Sequence, residues 1–148
     1  MKIVVAEKIS SSAIEALKEP RWVIVTPDQL DGNLASELES ADALIVRSAV
    51  QVDAALLEHA RKLRVVGRAG VGVDNIDVDA ATRKGIAVMN TPGANAVAVA
   101  EHTLGLMLAM ARFICRANDL MHAGKWEKKS LQGSELRGKV LGIVGLGR

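Results

Sequence analysis

Leu63-Arg64-Val65-Val66-Gly67-Arg68-Ala69-Gly70-Val71-Gly72-Val73-Asp74-Asn75 is the stretch on which the fold turns. Leu63 to Gly67 reads as a short buried strand, and it delivers the chain into an arginine and then a turn with two glycines. In open parallel sheets, ligands settle just beyond the carboxyl ends of the strands. Arg68 therefore stands where a site is expected. Gly70 and Gly72 permit either a positive φ or a close backbone approach, which lets N–H groups of the turn face an anion. Taken alone, the stretch also fits a tight turn capped by a solvated arginine, so its neighbours must decide.

On the N-terminal side the same pattern repeats. Lys2 to Ala6 is a Val- and Ile-rich strand, and Ser10, Ser11 or Ser12 caps a helix that carries Ile14 and Leu17 and stops before Pro20. Trp22 to Val25 is a second strand, halted by Thr26-Pro27. A helix over Leu30 to Glu39 with Leu34 and Leu38 on one face follows, then a third strand, Ala43 to Val46, ending in Arg47-Ser48. Asp53 caps a helix with Leu56 and Leu57 turned inward, and this leads into the opening stretch. Beyond it, Asp77 or Asp79 starts a helix to Lys84, Gly85 is its C′ residue, and Ile86 to Met89 is a fifth strand ending at Asn90-Thr91-Pro92.

Alternating strands and helices predict an α/β, doubly wound parallel sheet with right-handed crossovers. The commonest five-stranded solution is the flavodoxin-like order 2-1-3-4-5. In that order strands three, four and five are neighbours, and their polar ends share one edge of the sheet. Arg47, Ser48, Arg68, the Gly70-Val71-Gly72 turn and Asn90 then converge. Two guanidiniums beside a hydroxyl, an amide and a glycine turn suit a small anion, either carboxylate or phosphate.

Composition narrows the function classes. At 148 residues, 49% hydrophobic and 24% charged, the chain is long enough to bury a core. Two Trp, one Phe and no Tyr leave little for base stacking, and a net charge of +2 does not favour a nucleic-acid or membrane surface. No acidic cluster ends the first strand and no aromatic is placed to sandwich a flavin, which argues against a response-regulator or flavin-binding domain. Cys115 is the sole cysteine, His59 and His122 show no metal-ligand spacing, and Lys2 interrupts any signal-peptide core at once. The expectation is a cytoplasmic protein without a metal site.

From Ala94 the character changes. Ala96 to Asp119 reads as one long helix, apolar on most faces, and such a helix is covered by a second domain or a second subunit. His102 and Glu101 within it fit structural roles better than acid–base roles. His122 to Leu131 reads as an exposed arm around Trp126. Val140 to Val144 then reads as a strand running into Gly145-Leu146-Gly147, the opening of a dinucleotide-binding strand-turn-helix. The expected division is a flavodoxin-like substrate domain over 1–92, followed over 93–148 by the helix, the arm and the beginning of a Rossmann dinucleotide-binding domain.

Arg47-Ser48, Val66 to Asp77, Ala80 to Gly85, Asn90-Thr91-Pro92-Gly93, Ala100-Glu101-His102 and Leu136 to Arg148 together resemble the D-isomer-specific 2-hydroxyacid dehydrogenases, in order and spacing and over essentially the whole chain. The resemblance implies that Arg47, Ser48, Arg68, Gly70, Val71, Gly72 and Asn90 hold a small 2-hydroxy acid, with 3-phosphoglycerate the expected one. It implies NAD as cofactor, with Val71 against the nicotinamide end and Gly145, Gly147 and Arg148 beginning the pyrophosphate loop. It further implies a homodimer through the 96–119 helix and the Trp126 arm. The family's catalytic arginine, glutamate and histidine lie downstream of the Gly-x-Gly, and His102 does not match that histidine. The chain by itself is thus expected to lack dehydrogenase activity. A second expectation stands beside it: a non-enzymatic, self-associating flavodoxin-like module that at most binds a small anion.

Overall fold

The computed structural model describes residues 1–145. The chain divides into two compact units, Met1–Ala94 and the residues from Asn95 on. The first holds five strands, β1 (Lys2–Val5), β2 (Val23–Val25), β3 (Ala43–Val46), β4 (Val65–Arg68) and β5 (Ala87–Asn90), and four short helices, α1 (Ser11–Ala16), α2 (Leu34–Leu38), α3 (Ala54–Glu58) and α4 (Val78–Arg83). The sheet is parallel with the order β2-β1-β3-β4-β5, as the flavodoxin-like reading expects.

Strand alternation builds two layers of core. Val4, Leu44, Val46 and Val66 face one way and pack with Leu38, Leu57, Ala80 and Ala81 of α2, α3 and α4. Ile3, Val5 and Ala43 face the other way, against Ile14 and Leu17 on and just after α1. Each helix starts on a polar cap. Side chains of Ser10, Asn33, Asp53 and Asp77 accept from the amides of Ala13, Ser36, Leu56 and Ala80, which satisfies backbone donors that have no partner within the helix.

One boundary differs from expectation. The helix expected over Leu30 to Glu39 begins only at Leu34, because Asp31 (φ 43) and Gly32 (φ 74) form a left-handed turn that a helix cannot include. A single turn of 3₁₀ helix, Pro27–Gln29, precedes it.

In the second unit, the expected single helix is two: α5 (Ala96–Ala111) and α6 (Ile114–His122), bent by 63°. Phe113 sits at φ 52, in the left-handed region, and the freed Ala111 carbonyl accepts from the Ser134 amide at 2.8 Å. Gly133 approaches that carbonyl so closely that a Cβ there would meet backbone. The returning chain thus takes up the carbonyl that the break leaves free. A short 3₁₀ turn, Lys128–Leu131, follows. Val140 to Val144, expected as a strand, is irregular and exposed; among the described residues no strand lies alongside to take its backbone hydrogen bonds. Among the described residues no single helix is long and apolar enough to cross a membrane.

Candidate functional site at the carboxyl edge of the sheet

The register carries the ends of three strands to one level: Val46 is beside Arg68, and Arg68 is beside Asn90. Arg47, Arg68 and Asn90 line one groove of about 790 Å³, together with Lys8, Thr91 and the apolar side chains of Ile9, Leu17, Ile45 and Met89. Ser48 and the Gly70-Val71-Gly72 turn lie on the loops that follow β3 and β4 and do not line the groove itself.

The turn after β3 is built on a residue to which sequence reasoning assigned no role in the site. Glu7, just past β1, accepts the amides of Arg47 at 2.8 Å, Ala49 at 3.1 Å and Val50 at 3.1 Å. Burial pushes this carboxyl up, but the amides of Val50, Arg47, Ala49 and Ser48 outweigh it and hold the group below its ordinary range. The amides of that turn are therefore spent on Glu7. What Arg47 offers a ligand is its guanidinium, which is steadied by a 3.3 Å bond to the Lys8 carbonyl. The signal was present in the strand order, since β1 neighbours β3 and a charge at its end must fall beside Arg47.

The loop after β4 is laced from both sides. Asn90 donates its amide to the Val71 carbonyl at 2.6 Å, and Thr91 donates from its backbone (2.9 Å) and its hydroxyl (3.2 Å) to the Gly70 carbonyl. The Asn90 amide thus shapes the loop. Arg68, whose side chain is only 12% exposed, gives its Nε to the Arg47 carbonyl at 3.1 Å and to the Asn75 Oδ1 at 2.9 Å. Its NH2 stands 3.8 Å from the solvent-exposed Asp74, a contact too long and too wet to hold it firmly.

Neither Gly70 nor Gly72 has a positive φ. They are small for another reason. A Cβ on Gly70 would lie 2.6 Å from Arg68 NH1, and one on Gly72 2.8 Å from Asp74 Oδ1. The glycines make room for the arginine to fold back over the loop. The Val71 and Gly72 amides make no hydrogen bond among the described residues and remain available to an acceptor.

The edge gathers two guanidiniums with terminal nitrogens to spare, two amides with no hydrogen bond among the described residues, and several apolar side chains, a set of groups whose chemistry suits a small anion. Among the residues that line the groove there is no histidine and no carboxylate. Among the described residues no group of three His, Cys, Asp or Glu is arranged to hold a metal. Gly145 lies in the second unit at φ 79, whereas Gly147 and Arg148 lie outside the described residues.

Residues 3–140 match the sequence profile of the D-isomer specific 2-hydroxyacid dehydrogenase catalytic domain. The chain belongs to this family. Among its relatives is the D-3-phosphoglycerate dehydrogenase of Archaeoglobus fulgidus, 48% identical over 149 residues, which cover 100% of this chain and 28% of that protein. The hydroxypyruvate reductase of Thermotoga maritima is 45% identical over 99% of this chain and 48% of its own length. Among solved structures, the NAD⁺-bound 3-phosphoglycerate dehydrogenase of Entamoeba histolytica superposes with a TM-score of 0.65 at 33% identity, over 76% of this chain and 39% of that one. The chain thus spans 28% of the length of the first of these relatives.

Proposed function

We propose that the chain is the N-terminal, substrate-holding part of an NAD-dependent D-3-phosphoglycerate dehydrogenase. The observation that carries this reading is the level placement of Arg47, Arg68 and Asn90 around one groove, within a chain matched along its whole length by such enzymes. In this role Arg47 and Arg68 hold the carboxylate or phosphate, with Ser48 and the Val71 and Gly72 amides alongside and Gly70 leaving room for the Arg68 guanidinium.

Two features, each within its own unit, support NAD as the cofactor. Val71 is exposed at the tip of its loop, which suits a contact with the nicotinamide end. Gly145 has a positive φ and nothing within 4 Å of a Cβ position, which suits backbone approach to a pyrophosphate; Gly147 and Arg148 would continue that loop. NAD, when bound, supplies the hydride acceptor for oxidising the 2-hydroxyl of 3-phosphoglycerate to the ketone of 3-phosphohydroxypyruvate, the first step of phosphorylated serine synthesis. The chain's own groups bind and orient the acid and keep water from its apolar side. None in the groove takes the hydroxyl proton, so we assign that proton to a residue outside these 148.

Hydride transfer from 3-phosphoglycerate to NAD, followed by the absorbance of reduced nicotinamide, tests the assignment. The longer protein is expected to turn over, an Arg47→Ala variant of it to show a raised KM, and the 148-residue chain alone to show no activity. Preference of the longer protein for an unphosphorylated hydroxy acid would overturn the choice of substrate.

A specific observation favours self-association as well. Val97, Leu104, Leu106, Leu108 and Met110 of α5, and Trp126 beyond it, are all exposed. We propose that they form the contact of a homodimer, whether the chain acts in the enzyme or as a non-enzymatic module. Sedimentation of the chain, compared with a Leu104→Glu, Met110→Glu variant, reads this directly.

A further inference from the structure

We propose that Asn75 is a positioning residue: it orients the Arg68 guanidinium and ties the Arg47–Val50 turn to the glycine loop, so that the anion site is assembled before any ligand arrives. The inference rests on the reading of this edge as an anion site.

Asn75 is the one buried polar side chain of the described residues, 5% exposed. All its capacity is directed at the site. Its Nδ2 donates to the Arg47 carbonyl at 3.0 Å and to the Val50 carbonyl at 2.7 Å, and its Oδ1 accepts the Arg68 Nε at 2.9 Å. The two carbonyls fix which way the amide faces, and that leaves the oxygen aimed at Arg68. Only a side chain with two donors and one acceptor on a short stem satisfies all three. Aspartate would set an acceptor against two carbonyls, and an apolar residue would leave three polar groups short in a dry place, each at a cost.

The main chain of Asn75 is held too. Its carbonyl accepts the Val52 amide at 2.8 Å, and Val52 in turn accepts the Asp77 amide at 2.9 Å, an isolated parallel bridge between the two loops. Because the backbone cannot drift, the side chain acts as a fixed strut. With Nε spent on that strut, the terminal nitrogens of Arg68 are the ones left for a carboxylate or phosphate, and the guanidinium loses little freedom on binding.

A double-mutant cycle separates this role from a merely structural one. 3-Phosphoglycerate is titrated calorimetrically into the 148-residue chain and into its Asn75→Ala, Arg68→Ala and doubly substituted variants, while the Arg68 Nε–H resonance is followed in the ligand-free chain. Asn75→Ala is expected to weaken binding about tenfold, the loss of one hydrogen bond to a charged group. It is also expected to speed solvent exchange of the Arg68 Nε–H, and to add nothing once Arg68 is gone. Additive losses, or an unchanged Arg68 Nε–H resonance, overturn the proposal. Arg68→Ala without effect on binding would instead sink the anion-site reading, and the resonance would still report on the strut. Should Asn75→Ala fail to fold, Asn75→Ser, whose hydroxyl is too short to span all three partners, is read in the same way.

Discussion

The two units of this chain share an apolar composition but differ in what covers it. In Met1–Ala94 the apolar faces of strands and helices meet each other: Val4, Leu38, Leu44 and Leu57 are fully buried. In the residues from Asn95 on, α5 is apolar nearly all round, yet none of its residues is buried. The difference teaches that hydrophobicity marks a surface to be covered and does not say by what. A βαβ unit brings its own cover, since each crossover lays a helix over the strands it joins. A lone helix with no polar face does not.

The sharpest way to break this comparison is to truncate one leucine on each side. Leu57→Ala, in the core, is expected to cost about 3 kcal/mol in denaturant unfolding, whereas Leu104→Ala on α5, 55% exposed, should cost less than about 0.5 kcal/mol in the dilute chain. Equal losses would mean that α5 is covered after all. A loss at Leu104 that grows with protein concentration would show that the cover is another copy.

Next in size is Gly70→Ala. The new methyl meets the Arg68 guanidinium and no backbone, so the strain falls on the placement of that group. Affinity for 3-phosphoglycerate should fall roughly tenfold, as when one charge-assisted bond is misplaced. Gly72→Ala, which displaces only the exposed Asp74, should have a smaller effect on the same titration.

The smallest effect is a pH dependence confined to the first unit. The Glu7 pKa is depressed in the folded chain below its usual 4.5, so its contribution to stability is fully present above that value. It is lost as pH falls through the lower, folded pKa. Glu7→Gln should flatten this part of the stability profile and leave the profile above it parallel to that of the parent. A variant that keeps the acid slope would show that the loop after β3 does not depend on the carboxylate.

Much of the fold was legible because it is written locally. Buried strands of four or so residues, each followed by a capped helix, lead to a parallel sheet, and the commonest order places Arg47, Arg68 and Asn90 together. What escaped is tertiary. Asp31-Gly32 shortens α2 through a left-handed turn that a hydrophobic pattern does not show. Phe113 breaks the long helix with no glycine or proline to announce it, and the freed Ala111 carbonyl finds its partner in Ser134, distant in sequence. Within the site, Glu7 and Asn75 had a position but no role, since a clasp is defined by the amides and carbonyls it meets across 40 and 28 residues of sequence. Of the two uses the sequence allows for Gly70 and Gly72, a positive φ is absent, and the space a Cβ would take is filled by the side chains of Arg68 and Asp74. Val140 to Val144 has the composition of a strand, and composition cannot supply the neighbour a strand requires.

The central claim is that residues 1–94 carry a preformed anion site at the carboxyl edge of their sheet. Isothermal titration of the 148-residue chain with 3-phosphoglycerate, beside an Arg47→Ala, Arg68→Ala variant, tests it most directly. Binding at millimolar concentration or tighter, abolished in the variant, is the predicted result. No heat from the parent chain, or the same heat from the variant, would contradict it.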